Sequence, residues 1–166
     1  MNYITGMAPQ TPYSADLRDR EPLAAIENTT ARVRSLASGW TPQQFERTYA
    51  PGKWTARQLF IHLAQSEIAL GNRARMALTV PDYVAQAFDQ DKWMAKEHAL
   101  GGRDAVDVFL ALSAMNRALF ASLSPADRAI ALSHPEYGAL TVDWILHMIA
   151  GHQIHHLKQI EEIAAR

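Results

Sequence analysis

Seven histidines fall in a chain of 166 residues that has no cysteine. Metal binding, general acid–base work and proton transfer are therefore open to imidazole. Disulfides, thiolate ligands and a cysteine nucleophile are not. Three of the seven crowd into Gly151-His152-Gln153-Ile154-His155-His156. On a helix at about 100° per residue, with His152 at 0°, His156 lies near +40°, with Ile145 and Ile163 near +20° and Ile149 near +60°. His155 lies near −60° and His147 near −140°. Two imidazoles thus sit one turn apart inside an apolar stripe, with His155 on its edge and His147 facing away.

Two neutral imidazoles among Ile and Val cost energy unless their nitrogens are satisfied. Core histidines bonded to backbone or solvent are one solution, and a metal ion is another. Residues four apart on a helix are about 5–6 Å apart at Cβ, and imidazole nitrogen ligates Zn²⁺ at about 2.0–2.1 Å. His62 lies between Leu59, Leu63 and Ser66, where an apolar residue would cost less. Together His62, His152 and His156 make a three-nitrogen set from two helices, and three protein ligands leave positions for water or substrate. A zincin is excluded, because Gln153 stands where H-E-x-x-H requires Glu. A ferritin-like di-iron centre is excluded because no Glu-x-x-His is present. A mononuclear, nitrogen-rich site suits Zn²⁺ or Ni²⁺ better than Mg²⁺ or Ca²⁺.

Long helices must carry these groups. The length fits one domain, and sixteen basic against seventeen acidic residues give no excess for binding nucleic acid. No apolar run approaches the ~20 residues of a membrane span, and the N-terminus lacks the basic and apolar regions of a signal peptide. A cytoplasmic location with no membrane partner is the expectation. Residues 1–20 read as an extended arm and 21–166 as the bundle domain. A first helix begins at Pro22 with Leu23, Ile26, Thr30, Val33 and Ala37 on one face, and Gly39 ends it. The turn Ala50-Pro51-Gly52-Lys53-Trp54 leads into a second helix from about 56 to 78, capped by Thr55 and carrying Leu59, Leu63, Ser66 and Leu70 inward. Residues 81–103 form a long crossover with one short helix. A third helix, capped by Asp104, carries a stripe of Val108, Phe109, Leu112, Met115, Leu119 and Leu123. Residues 134–138 read as turn material, and Thr141 opens the last helix. No sheet is predicted. The whole reads as an all-α four-helix bundle with one long crossover, its crossover too long for a simple link between neighbours.

Gly52-Lys53-Trp54-Thr55 running into His62-Leu63-Ala64-Gln65-Ser66-Glu67, followed by His152-Gln153-Ile154-His155-His156-Leu157-Lys158-Gln159-Ile160, resembles the two signatures of the DinB/YfiT superfamily. The resemblance covers nearly all of the chain after the arm. It implies a four-helix bundle with a divalent metal held by His62, His152 and His156, the three that the helical wheel also selects. It also implies relatives that are thiol-dependent transferases using bacillithiol or isomerases using mycothiol, and pairing into homodimers.

Several other residues have a structural and a functional reading. Trp54 and Trp144 read as core or turn-locking aromatics. Glu67, about 140° around the helix from His62, reads as a salt-bridge or cap partner. Gln159 suits either a donor behind the ligands or a solvated edge. His155 is the candidate catalytic residue, as a proton-transfer group or a support behind the ligands. His98 and His134 read as surface loop residues. Arg73 and Arg75 read as a solvated face, with anchoring of an anionic substrate as the alternative.

The function expected is a mononuclear metal-dependent enzyme. Its ion would lower the pKa of a bound water or thiol for attack on a small electrophile, giving hydrolysis or transfer from a low-molecular-weight thiol. The alternatives are a non-catalytic metal-binding or stress-associated bundle, and a metal-free bundle used for dimerisation.

Overall fold

The structure, a computed structural model, describes residues 8–97 and 99–166. The beginning of the arm and His98 lie outside the described residues. Four long helices form the bundle: α2 (Pro22–Ala37), α4 (Ala56–Thr79), α6 (Gly102–Ser122) and α8 (Val142–Ala164). The short helices are α1 (Ser14–Leu17), α3 (Pro42–Phe45), α5 (Gln90–Met94) and α7 (Pro125–Arg128). α4 packs on α6 and α8, and α2 packs on those same two helices, so α2 and α4 stand diagonally opposite, as do α6 and α8. Residues 80–101 therefore join two neighbours. The links that cross the bundle are 38–55 and 123–141, which corrects the expectation for the crossover.

Local chemistry fixes the two helices that carry the histidines. Gly52, at φ +70°, makes the turn before α4, where its missing Cβ removes the usual penalty. Thr55 Oγ1 accepts from the Gln58 N–H and Gln58 Oε1 accepts from the Thr55 N–H, closing a capping box less than two turns before His62. Thr141 Oγ1 accepts from the Trp144 N–H at the start of α8.

Three expectations yield to the structure. Residues 131–141 form an antiparallel hairpin, β1 (Ala131–His134) with β2 (Gly138–Thr141), in which His134 faces Gly138. Burial alternates along β1, placing Leu132 and His134 inward. His134 is thus a buried strand residue and not a surface one. The arm is also not wholly extended, since α1 packs on α8 and Leu17 is buried. The inner face of α6 is Ala105, Val106, Phe109, Leu110, Ser113, Asn116 and Phe120, while Val108 and Met115 are exposed. By length and composition α6 would pass for a membrane span, with mean hydropathy 1.3. Here it is a core helix packed on α2 and α4.

The crossover folds back on α4 and joins the hairpin. Val84 bridges Ser133 in parallel, with the Ala85 N–H donating to Ser133 O and the Ser133 N–H to Tyr83 O. Residues of both the crossover (Phe88, Gln90) and the hairpin (His134, Glu136, Tyr137) line the space beside His62 and His152.

Candidate metal centre

His62 from the second turn of α4 and His152 and His156 from the middle of α8 meet between those helices. Their potential ligand nitrogens all lie within 4.8 Å of one another, and all three residues are buried. His62 Nε2 and His152 Nε2 are 2.9 Å apart. Two nitrogens held about 2.0–2.1 Å from one ion would be separated by roughly 3 Å. His156 Nδ1 hydrogen-bonds Gln159 Oε1 at 2.8 Å. An amide oxygen only accepts, so Nδ1 carries the proton and the Nε2 lone pair is left free.

The electrostatics suit a cation other than a proton. Burial, then the neighbouring His156, pushes His62 down to about 3. Burial pushes His156 down to about 4, against the hydrogen bond to Gln159. His152 is held well below its ordinary value by burial and by His156, His62 and His155. Neutral imidazoles with converging lone pairs are the form that binds a metal. His62 Nδ1 is buried and has no hydrogen-bond partner among the described residues. The residues present therefore fit a divalent ion with three nitrogen ligands.

Aromatic rings wall the cluster. Trp54 lies 4.9 Å from the His62 ring, Phe88 stacks over His62 at 6.4 Å, and Tyr13 meets His152 at 5.1 Å. Tyr13 arrives because Gly151 lets the arm lie on α8: a Cβ at Gly151 would stand 2.7 Å from the Tyr13 carbonyl. Beside the cluster opens a cavity of about 130 Å³, with His62, His152, Tyr13, Arg73, His134 and Tyr137 in its lining.

The remaining sequence candidates separate cleanly. His155 is outside the cluster, with Nδ1 3.2 Å from Asp16 Oδ2, its ring 5.2 Å from Tyr13, and Gln159 Nε2 3.4 Å from its Nε2. It therefore stands behind His156. His147 faces the Asp143 carbonyl at 2.9 Å. Trp144 donates its indole N–H to Gln10 O at 2.8 Å, tying the arm to α8. Glu67 is buried, accepting from Asn116 Nδ2 and Gln153 Nε2, each at 2.7 Å, with no cation in direct contact among the described residues. Burial lifts its pKa to about 6 against those two hydrogen bonds. The solvated reading of Arg73 is wrong, since it is buried. Arg75 is half-buried and donates to Asn116 Oδ1 at 2.7 Å. Sequence reasoning missed His134, whose signal was the alternation of Ala131-Leu132-Ser133-His134 before a Pro–Gly-bounded turn.

A helical bundle with a buried three-histidine cluster opening on a small cavity defines a class of candidate metal-dependent proteins. The chain belongs to the DinB superfamily, whose sequence profile matches residues 25–160. It is 27% identical over 142 residues to a candidate metal-dependent hydrolase of Oceanobacillus iheyensis, covering 85% of this chain and 83% of that one. It is 23% identical over 161 residues to YfiT of Bacillus subtilis, also named as a candidate metal-dependent hydrolase, covering 95% of this chain and 90% of that one. The solved structure of YfiT, a four-helix bundle of unusual topology, superposes with TM-score 0.78 at 22% identity, over 87% of this chain and 85% of that one. A mycothiol-dependent maleylpyruvate isomerase superposes with TM-score 0.70 at 18% identity, over 91% of this chain and 63% of that one.

Proposed function

We propose that this chain is a mononuclear divalent-metal enzyme that attacks a small electrophile, by hydrolysis or by transfer from a low-molecular-weight thiol. The observation that carries the reading is the meeting of three buried imidazole nitrogens within 4.8 Å, two of the residues lining a cavity. A closed structural site would have no such opening. The hydrolase names of the relatives and the thiol-dependent isomerase among the structural neighbours support the two variants.

His62, His152 and His156 would hold the ion, with zinc or nickel suited to a nitrogen-only set. When bound it supplies Lewis acidity, making a nucleophile available near neutral pH. Gln159 holds His156 in the tautomer that leaves Nε2 free. Trp54, Phe88 and Tyr13 keep bulk water from the cluster. Burial, with the Tyr137 and Asp16 charges, raises the Tyr13 pKa, so its phenol stays protonated. His155, in contact with Asp16 and close to Gln159, would steady His156 and pass protons to solvent.

The test is elemental analysis of untagged protein purified without chelators, beside parallel assays. One set uses aryl esters and amides, the other an activated aryl chloride with low-molecular-weight thiols. Near-stoichiometric zinc or nickel and turnover in one set are expected. Metal without turnover in either would favour a non-catalytic binding protein, and absence of metal would overturn the reading. A homodimer is also proposed, supported by the exposed Val108 and Met115 on α6. Light scattering showing only monomer at tens of micromolar would exclude it.

A further inference from the structure

Arg73 is the cation nearest the cluster's cavity, and its surroundings do not account for it. It is 7% exposed, yet it pairs with no carboxylate among the described residues. Its one hydrogen bond among the described residues runs from Nη2 to the Gln86 carbonyl at 2.7 Å. A guanidinium has five N–H donors, and burying one without an anion is costly. Pinning the crossover through one carbonyl uses only one of them.

His134, in β1, lines the same cavity and carries a buried donor of its own. It is 3% exposed, and its Nδ1 accepts from the Glu136 N–H at 3.1 Å. Burial, and then the Arg73 charge, disfavour its protonation. The ring is therefore neutral with its hydrogen on Nε2, and that N–H is buried with no acceptor. Both residues line the cavity that His62 and His152 line. A guanidinium on α4 and a buried N–H without an acceptor on β1, among the described residues, thus line one space beside the imidazole cluster.

We propose that Arg73 and His134 form an anion-binding subsite, and that the substrate is a small carboxylic acid. The carboxylate accepts from the free N–H groups of Arg73 and from His134 Nε2–H, which places the rest of the molecule toward His62 and His152. A planar two-oxygen acceptor matches the guanidinium fork. The cavity, at about 130 Å³, has room for a group of only a few heavy atoms. Glu136, exposed on the rim, also lines it, and its charge acts on Arg73 without a direct ion pair among the described residues. It repels a second negative charge and so favours a monoanion. The proposal rests on the reading of this cavity as the substrate site, but not on the metal.

The test is an NMR titration of the full chain, stripped of metal and dialysed free of chelator, with propionate, neutral propionamide and inorganic phosphate. Propionate is expected to bind at least about tenfold more tightly than propionamide, and Arg73→Gln to weaken propionate by about tenfold or more. His134→Leu should weaken it by about threefold to tenfold. Glu136→Gln, a surface change that does not threaten the fold, should tighten it. The proposal is overturned by equal binding of propionate and propionamide, by no binding of either, or by a folded Arg73→Gln that binds propionate like the parent. Phosphate binding more tightly than propionate would make the ligand a phosphoryl group and overturn the carboxylate. Zinc stoichiometry, measured separately, distinguishes the two readings. Propionate selectivity without zinc binding leaves the subsite standing and removes the metal, while the reverse removes only the subsite.

Discussion

Among the histidines, distance from the α4–α8 seam separates ligands from neighbours. Replacing His62, His152 or His156 by Ala should each lower zinc or nickel content well below stoichiometric, while His134→Ala should leave it unchanged. Adjacent His155 and His156 give the sharpest contrast. His156 points into the seam and His155 toward Asp16, so His155→Ala should retain metal. Loss of metal in His155→Ala with retention in His156→Ala would place the site on the other face of α8. Gln159→Leu removes the acceptor that holds His156, and metal affinity should drop by about 10–100-fold, read by competition with a chromophoric chelator. These residues were legible in the sequence because helical periodicity and a four-residue spacing are local properties. His134 was not legible, and Arg73 was legible only as an alternative anion anchor, without its burial. Each is buried by chain distant in sequence, Arg73 beneath the returning crossover and His134 within a hairpin, and a helical wheel carries no information about either.

Along α6 the sequence pattern misleads for a physical reason. Of the predicted stripe, Phe109 is buried and Leu112, Leu119 and Leu123 pack on the core, but Val108 and Met115 face out, because the buried face includes Ser113 and Asn116. Those two polar groups sit inward to serve Glu67. Asn116 Nδ2 donates to the Glu67 carboxylate and to its backbone oxygen, while Asn116 Oδ1 takes a hydrogen bond from Arg75. Gln153 completes the shell, donating to both Glu67 and Ser113 Oγ. Gly71 has no side chain because a Cβ there would collide with the Asn116 amide. A buried carboxylate held only by neutral amides is exposed to loss of any one of them. Asn116→Ala should therefore destabilise the protein by about 2–4 kcal/mol, as a lower urea midpoint at unchanged m-value. Adding Glu67→Gln to that variant should restore part of the loss, since the stranded charge is removed. If Asn116→Ala changes the midpoint no more than an exposed substitution does, Glu67 is not held in this way.

For the molecule as a whole, the histidine cluster couples metal, protons and folding. In the unfolded chain each of the three ligands titrates near 6.5. In the fold, burial holds His156 near 4, His62 near 3 and His152 well below its ordinary value. Between those limits the unfolded state binds more protons than the native one, so these residues' contribution is fully present above pH 6.5 and is lost as pH falls toward 4. Glu67 works the other way. Its pKa rises from 4.5 to about 6, so its contribution is full below pH 4.5 and declines as pH rises through 6. One opposing proton against three leaves a net loss on acidification, and the metal-free protein should show a falling Tm from pH 6.5 to 4.5. Affinity of the folded site should follow a different curve. Native ligands with depressed pKa values stay neutral, and so competent, well below pH 6.5. Equilibrium dialysis against zinc at pH 7, 5.5 and 4.5, with circular dichroism confirming the fold at each, should show the folded protein still loaded at pH 5.5. Release centred near pH 6.5 from protein that remains folded would mean that the ligands titrate as exposed histidines, and that the metal is not held in the seam between α4 and α8.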